Sequence, residues 1–337
     1  MKTFSVQEII TKVKAIVTVV RRSVVLTDEL IRLQKRDEKS DGSILKFKQN
    51  IPTRWNSTFY MIERFLQLKE YIYLVLLKCP VPPDMLTHEE FNLLTDIVNI
   101  LKPIELVTDE IGGDSYPTCS IIIPIIRCMI DAINIYRPTT DHGFTFQKNI
   151  LFEIEKRFGN VESYEILTIA TILNPRFKKL HFQHPRAVSL AISIIKTAMQ
   201  KETNLNPNTS HVSNLSKSNM ECKSVLWNLH DTMVATSPVT RDDPGGINVE
   251  LRQYLNQPVL PRNHDPLKAW QTLKYAYPIL FKIAKKYLAV IATSVFSERL
   301  FSKAGIIKCQ LKNRLTPSRL NALLFLGSLT LEGWELV

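Results

Sequence analysis

The stretch "YPILFKIAKKYLAVIATSVFSERLFSKAGIIKCQLKNRLTPSRLNALLFL", Tyr277 to Leu326, decides how the rest of the chain is read. Its apolar residues recur at helical spacing, and "WQTLKYAYPILFKIAKKYLAV" reads as helical in two pieces separated by Pro278. Ser294 is placed to cap a second helix, and Gly305 to end it in the left-handed conformation. Along that helix Leu300, Phe301 and Ala304 form an apolar strip beside Phe296, with Glu298 and Ser302 on the neighbouring strip. A third helix begins with Thr316 as cap and Pro317 as first residue, and Leu320, Leu323 and Leu324 are expected to point inward. Two short Leu- and Phe-rich helices rimmed by cations suit either a domain core or half of a self-complementary interface.

Charge is concentrated in the same window. Pro278 to Leu320 holds nine Lys and Arg against one acid, Glu298, so it carries +8 of the chain's +11. A local excess of this kind favours an anionic partner such as nucleic acid. Five cysteines without a C-x-x-C pair predict reduced thiols and no zinc framework. His181 and His184 form an H-x-x-H followed at once by Pro185, and they read as surface loop histidines rather than metal ligands. The longest purely apolar run, around "SIIIPII", is too short to span a bilayer and contains Pro124, so neither a membrane nor a secretory role is expected.

Helical periodicity extends over most of the chain. The opening segment aligns Val6, Ile9, Ile10, Val13, Ile16, Val17 and Val20 on one face, behind a Ser5…Glu8 capping box. "RDEKSDGS" reads as a polar turn and "ILKFKQNIP" as a short extended piece. A helix is expected from Arg54 to about Leu77, closed by "CPVPP". Further helices are expected over Glu89–Glu110, Ile122–Tyr136, Gln147–Phe158 and Arg186–Gln200, with "TTDHG" and "ILNPRFKKLHFQHP" as connections. The composition then turns rich in Asn, Ser and Thr with few apolar anchors, and 201–248 reads as a flexible linker. No internal repeat is evident, and the fold class is mainly α.

Two stretches carry a resemblance. Tyr277–Leu326 resembles the C-terminal dimerisation region of hAT-superfamily transposases and their domesticated BED-finger relatives, with tyrosine-proline, Ser-Glu-Arg, Phe-Ser, Ala-Gly and Asn-Arg-Leu elements in the family's order. "PTRWNSTFYMIERFL", Pro52 to Leu66, is similar to that family's Arg-Trp motif, and "ILNPRFKKLHF" and "YLNQPVLPRNHDPLKAW" also have family counterparts. The resemblance implies a helical insertion domain over 1–200, the linker 201–248, and a dimerisation region over 249–337 whose helices complete an RNase H-like domain.

Further expectations follow from that likeness. Family members cut DNA with two divalent metals, which need several carboxylate oxygens. Glu298 matches the family's Glu and is a vestigial triad member, while the two Asp lie in family segments that precede the first helix seen here. No metal, no other cofactor, no small-molecule substrate and no catalysis are therefore expected. Arg54 and Trp55 match a phosphate contact and a base-stacking platform, with Trp55 as a core residue in register with Phe59 and Ile62 being the alternative. Arg299, Lys303, Lys308, Lys312 and Arg314 are the expected cationic contacts to DNA. Phe296, Leu300, Phe301, Leu320, Leu323 and Leu324 are the expected dimerisation residues. The expected whole is a nuclear, self-associating, non-catalytic transposase-derived protein that binds DNA weakly and without sequence specificity. The alternative is the C-terminal part of an active metal-dependent transposase.

Overall fold

The computed structural model describes residues 6–51, 55–112, 118–205, 249–307 and 315–327. The expected linker thus falls largely outside the described residues, as do Ser5 of the first capping box and Arg54. The protein is mainly α: among the described residues there are fourteen α-helices and no strand, only an isolated bridge between Thr118 and Ile291.

Two compact units interleave along the chain. The described residues of Met1–Thr108 and Ile125–Val161 make the first, and those of Asp109–Pro124, Glu162–Asn219 and Pro238–Val337 make the second.

The first unit is built on α1 (Val6–Arg22), α2 (Val24–Arg36), α3 (Trp55–Gln67) and α4 (Lys69–Leu76). As the spacing predicts, α1 buries Ile9, Val13, Ile16, Val17 and Val20. These pack into one cluster with Leu30, Met61, Phe65, Ile72 and Leu94, among others. Each fully buried side chain of this size contributes about 1.5–3 kcal/mol. Ser23 stops α1 and caps α2, its hydroxyl accepting from the Leu26 amide. The single helix expected over Arg54–Leu77 is two, broken at Leu68.

α5 (His88–Gly112) begins with a reciprocal capping box: Thr87 Oγ1 accepts from the Glu90 amide, and Glu90 Oε2 accepts from the Thr87 amide. Glu90 is buried and also pairs with Lys12, 2.7 Å away. α6 (Ile122–Ile135) follows, then α7 (Asp141–Phe158), which starts earlier than expected. "TTDHG" is not a free loop. Thr140 is the N-cap and Gly143 already lies in the first turn, because the buried Asp96 accepts from the Thr139 and Thr140 amides and both hydroxyls.

The second unit has its own core. α8 (Glu165–Leu173), α9 (Pro185–Leu205), α10 (Val249–Asn256), α11 (Pro266–Leu273) and α12 (Pro278–Leu288) bury Ile169, Ile195, Tyr254, Trp270, Leu280 and their neighbours together. α13 (Val295–Ile307) and α14 (Pro317–Leu326) complete the described chain.

Candidate functional site

The two C-terminal helices pack on each other. Ser294 precedes α13, and its hydroxyl donates to Glu298 Oε1 at 2.8 Å. The Val295 amide donates to Thr293 Oγ1. Gly305 does not end the helix. It lies inside α13, which runs on to Ile307, and a Cβ at that position would meet nothing within 4 Å. α14 starts as read, with Thr316 accepting from the Arg319 amide and Pro317 as first residue.

The inward expectation for Leu323 does not hold in the single chain. No residue of α14 is buried. Leu323 is 44% exposed, Phe325 64% and Leu326 47%, and on α13 Phe301 is 73% exposed, with Leu300 also exposed. Leu320 and Leu324 are half-buried. Large apolar side chains left exposed on two adjoining helices are costly in water and suit an interaction surface. The side chains of Phe296, Arg299 and Lys303, and all of Lys308, Lys312 and Arg314, lie outside the described residues. Glu298 is exposed, and no group of three metal-ligating side chains occurs among the described residues.

Ahead of α13, the basic stretch Lys282-Ile283-Ala284-Lys285-Lys286 is helical and lies within α12. Ile283 and Ala284 are buried, while the three lysines are exposed, Lys282 lying 3.8 Å from Glu202.

In the first unit Trp55 opens α3 and is 43% exposed, which removes the core alternative. Its ring stands 6.4 Å from that of the buried Phe59, centroid to centroid. Lys102 Nζ lies 5.4 Å from the Phe59 ring, and Lys48 Nζ 4.7 Å from the Tyr60 ring. Tyr60 donates to Glu105 Oε1 at 2.7 Å, and Lys102 bridges Glu105 and Glu63. Burial opposes the Lys102 charge, but Glu105 and Glu63 outweigh it and raise the amine above its usual value. Before α3, Phe47 points inward while Lys46 and Lys48 face solvent. The exposed indole thus adjoins the buried Phe59 ring, and two lysines lie over the neighbouring Phe59 and Tyr60 rings. Such a platform suits stacking on a base beside a phosphate backbone.

The H-x-x-H histidines separate. His184 is exposed, but His181 is 2% exposed, its ring 6.0 Å from that of Phe177, so it is a core residue and not a surface one. Around it lies a set of residues that periodicity did not single out. Asn174 donates to Ser120 Oγ and accepts from the Arg176 backbone and guanidinium. Lys178, buried and at a left-handed φ of 48°, donates to the carbonyls of Tyr254 and Gln257 at the end of α10. Burial pushes its amine down to about 7, with Lys179 adding to the shift. Trp270 Nε1 donates to the Leu173 carbonyl at 2.8 Å. The text of "ILNPRFKKLHF" was visible as a family likeness, but its job as a knot of hydrogen bonds was not.

Residues 250–328 match the hAT family C-terminal dimerisation region, and residues 4–100 match the ZBED1 RNase-like helical domain. The chain is a hAT-family transposase-like protein. It is similar to zinc finger BED domain-containing protein 4 of Homo sapiens, 22% identical over 88% of this chain and 25% of that protein. It is likewise similar to an AC transposase of Zea mays, 23% identical over 94% of this chain and 40% of that protein, and to an AC9 transposase of the same plant, 22% identical over 94% and 42%. The chain therefore spans a quarter to about two-fifths of the length of these relatives. No helix among the described residues is long and apolar enough to cross a membrane.

Proposed function

We propose that the chain is a non-catalytic, transposase-derived protein that self-associates through α13 and α14 and holds DNA weakly, without sequence preference. The observation that carries it is the exposed apolar surface of Leu300, Phe301, Leu323 and Leu326 inside the region matched to hAT dimerisation. Covering each such side chain contributes up to about 1.5–3 kcal/mol, and a two-fold interface buries the same patch on both copies. In this reading 1–200 is the helical insertion domain, 201–248 a linker, and 249–337 the region that completes an RNase H-like domain. DNA contact falls to Trp55 with Arg54, and to Arg299, Lys303, Lys308, Lys312 and Arg314. The nucleus is the compartment that fits such a partner.

The catalytic side rests on carboxylate arithmetic. Two magnesium ions need several hard oxygens, and Glu298 stands with no pair of acids grouped around it among the described residues. These residues do not fit a two-metal centre, so no cleavage step is assigned to them. Light scattering tests the assembly. The purified chain is expected at a multiple of 38.7 kDa, with Phe301→Asp and Leu323→Asp returning it to monomer. A wild-type monomer at micromolar concentration removes the proposal.

A second reading has its own support, since similarity to the AC transposase runs over 94% of this chain. The chain would then be the C-terminal part of an active enzyme, with its other acids on segments that lie elsewhere. A native cellular protein well above 38.7 kDa, whose magnesium-dependent nicking is abolished by Glu298→Gln, establishes that reading and ends the first.

A further inference from the structure

We propose that residues 249–288 are held on the α8–α9 face as a non-covalently seated segment, so that the chain stays assembled when the connection between Leu205 and Val249 is cut. The seat is built at the carboxyl end of α8. Tyr254 Oη donates to the Ile172 carbonyl at 3.1 Å, and Trp270 Nε1 to the Leu173 carbonyl at 2.8 Å. The Leu260 amide donates to the Pro175 carbonyl at 2.9 Å, and Arg176 Nη1 to the Arg262 carbonyl at 3.1 Å. Lys178 closes the end of α10 from the same turn.

These bonds span 76 to 97 residues of sequence, so none is a local turn. They satisfy backbone groups at the ends of α8 and α10, which would otherwise be buried without partners. Tyr254 and Trp270 are among the largest fully buried side chains, with rings 5.0 Å apart, and they share one core with Ile169, Ile172 and Ile195. Just beyond the segment the chain is tied again, the Cys119 amide donating to the Val290 carbonyl at 2.8 Å. The interface thus has what a stable protein–protein contact has: desolvated aromatic anchors and paired polar groups. The consequence is that residues 249–288 remain attached to α8 and α9 by their seat. This holds whether or not the protein self-associates.

The test uses the full chain with a protease recognition sequence inserted after Thr209. After complete cleavage the two pieces are expected to co-elute as one species at micromolar concentration and to separate only in denaturant. Tyr254→Phe with Trp270→Phe keeps both positions aromatic and removes both donors. In the cut protein it is expected to lower the urea midpoint for separation and to weaken the association at least tenfold. Pieces that elute apart in native buffer overturn the proposal, as does a separation midpoint that the double substitution leaves unchanged. Neither result depends on oligomeric state, since Leu323→Asp protein cut at the same place is expected to co-elute in the same way.

Discussion

Asp96 shows how much one residue can decide without a sequence signature. Its carboxylate accepts hydrogen bonds from Tyr136, Thr139 and Thr140, and so fixes the turn that starts α7. Burial alone would raise the carboxyl, but these bonds outweigh it and hold it below its usual value. A depressed carboxylate stabilises the fold above an ordinary Asp pKa of about 4, and the benefit is lost as pH falls through the lower folded value. Asp96→Asn is therefore expected to cost about 1–3 kcal/mol at neutral pH and to flatten the acid limb of a urea-midpoint against pH curve. Gly143→Ala is expected to destabilise as well, because a Cβ there would collide with the Asp96 carboxylate and the Thr140 hydroxyl.

Lys178 gives the opposite sign. Its folded value of about 7 lies below an unfolded lysine near 10.4. Between those values the unfolded chain binds more protons, so stability rises as pH increases across that window. Denaturation at pH 7 and pH 9 is expected to show the rise in wild type and its loss in Lys178→Met. Nothing in periodicity marks either residue, since an Asp in a helix and a Lys in a turn both read as solvent-facing.

At the scale of helices, positions and locally capped starts were legible, and closures by distant side chains were not. The buried face of α1, the break at Pro278 and the Thr316–Pro317 start of α14 follow from spacing, proline chemistry and capping. Several ends are closed by side chains distant in sequence. Gln147 donates to the carbonyls of Ile133 and Tyr136 at the end of α6. Glu162 accepts from the Gln183 and His184 amides ahead of α9, and Glu250 from the Leu280 amide in α12. Short helices with buried termini leave orphan amides and carbonyls, and rules of local capping cannot foresee a partner many residues away. Gly305 is the converse case: a glycine suited to a helix end that the helix simply passes through. Gly305→Ala is expected to stabilise α13 by about 0.5–1 kcal/mol, seen as a higher melting temperature in the Leu323→Asp background. If the same substitution in wild type abolishes the dimer, the partner backbone approaches at that glycine.

For the whole molecule, composition foretold the class and the uneven charge, while the division into two interleaved units could not be read from it. Residues close in space in the second unit come from both sides of 206–248, and helical spacing carries no information about which distant segments meet. The charge does yield a measurement. DNA retention is expected to fall steeply with salt, and replacing Lys282, Lys285 and Lys286 by Ala is expected to shallow the dependence of log affinity on log salt by up to about 0.9 per lost phosphate contact. Trp55→Ala is expected to weaken binding to single strands more than to duplex.

Those three lysines carry one more implication. With Ile283 and Ala284 turned into the core between them, the ammonium groups are fastened to a folded scaffold. A transport receptor that threads basic peptides through a narrow cleft would have to unwind α12 first and spill part of the protein's interior into water. Any passage that depends on these amines must read them as a rigid constellation, like studs on a plate and not beads on a string.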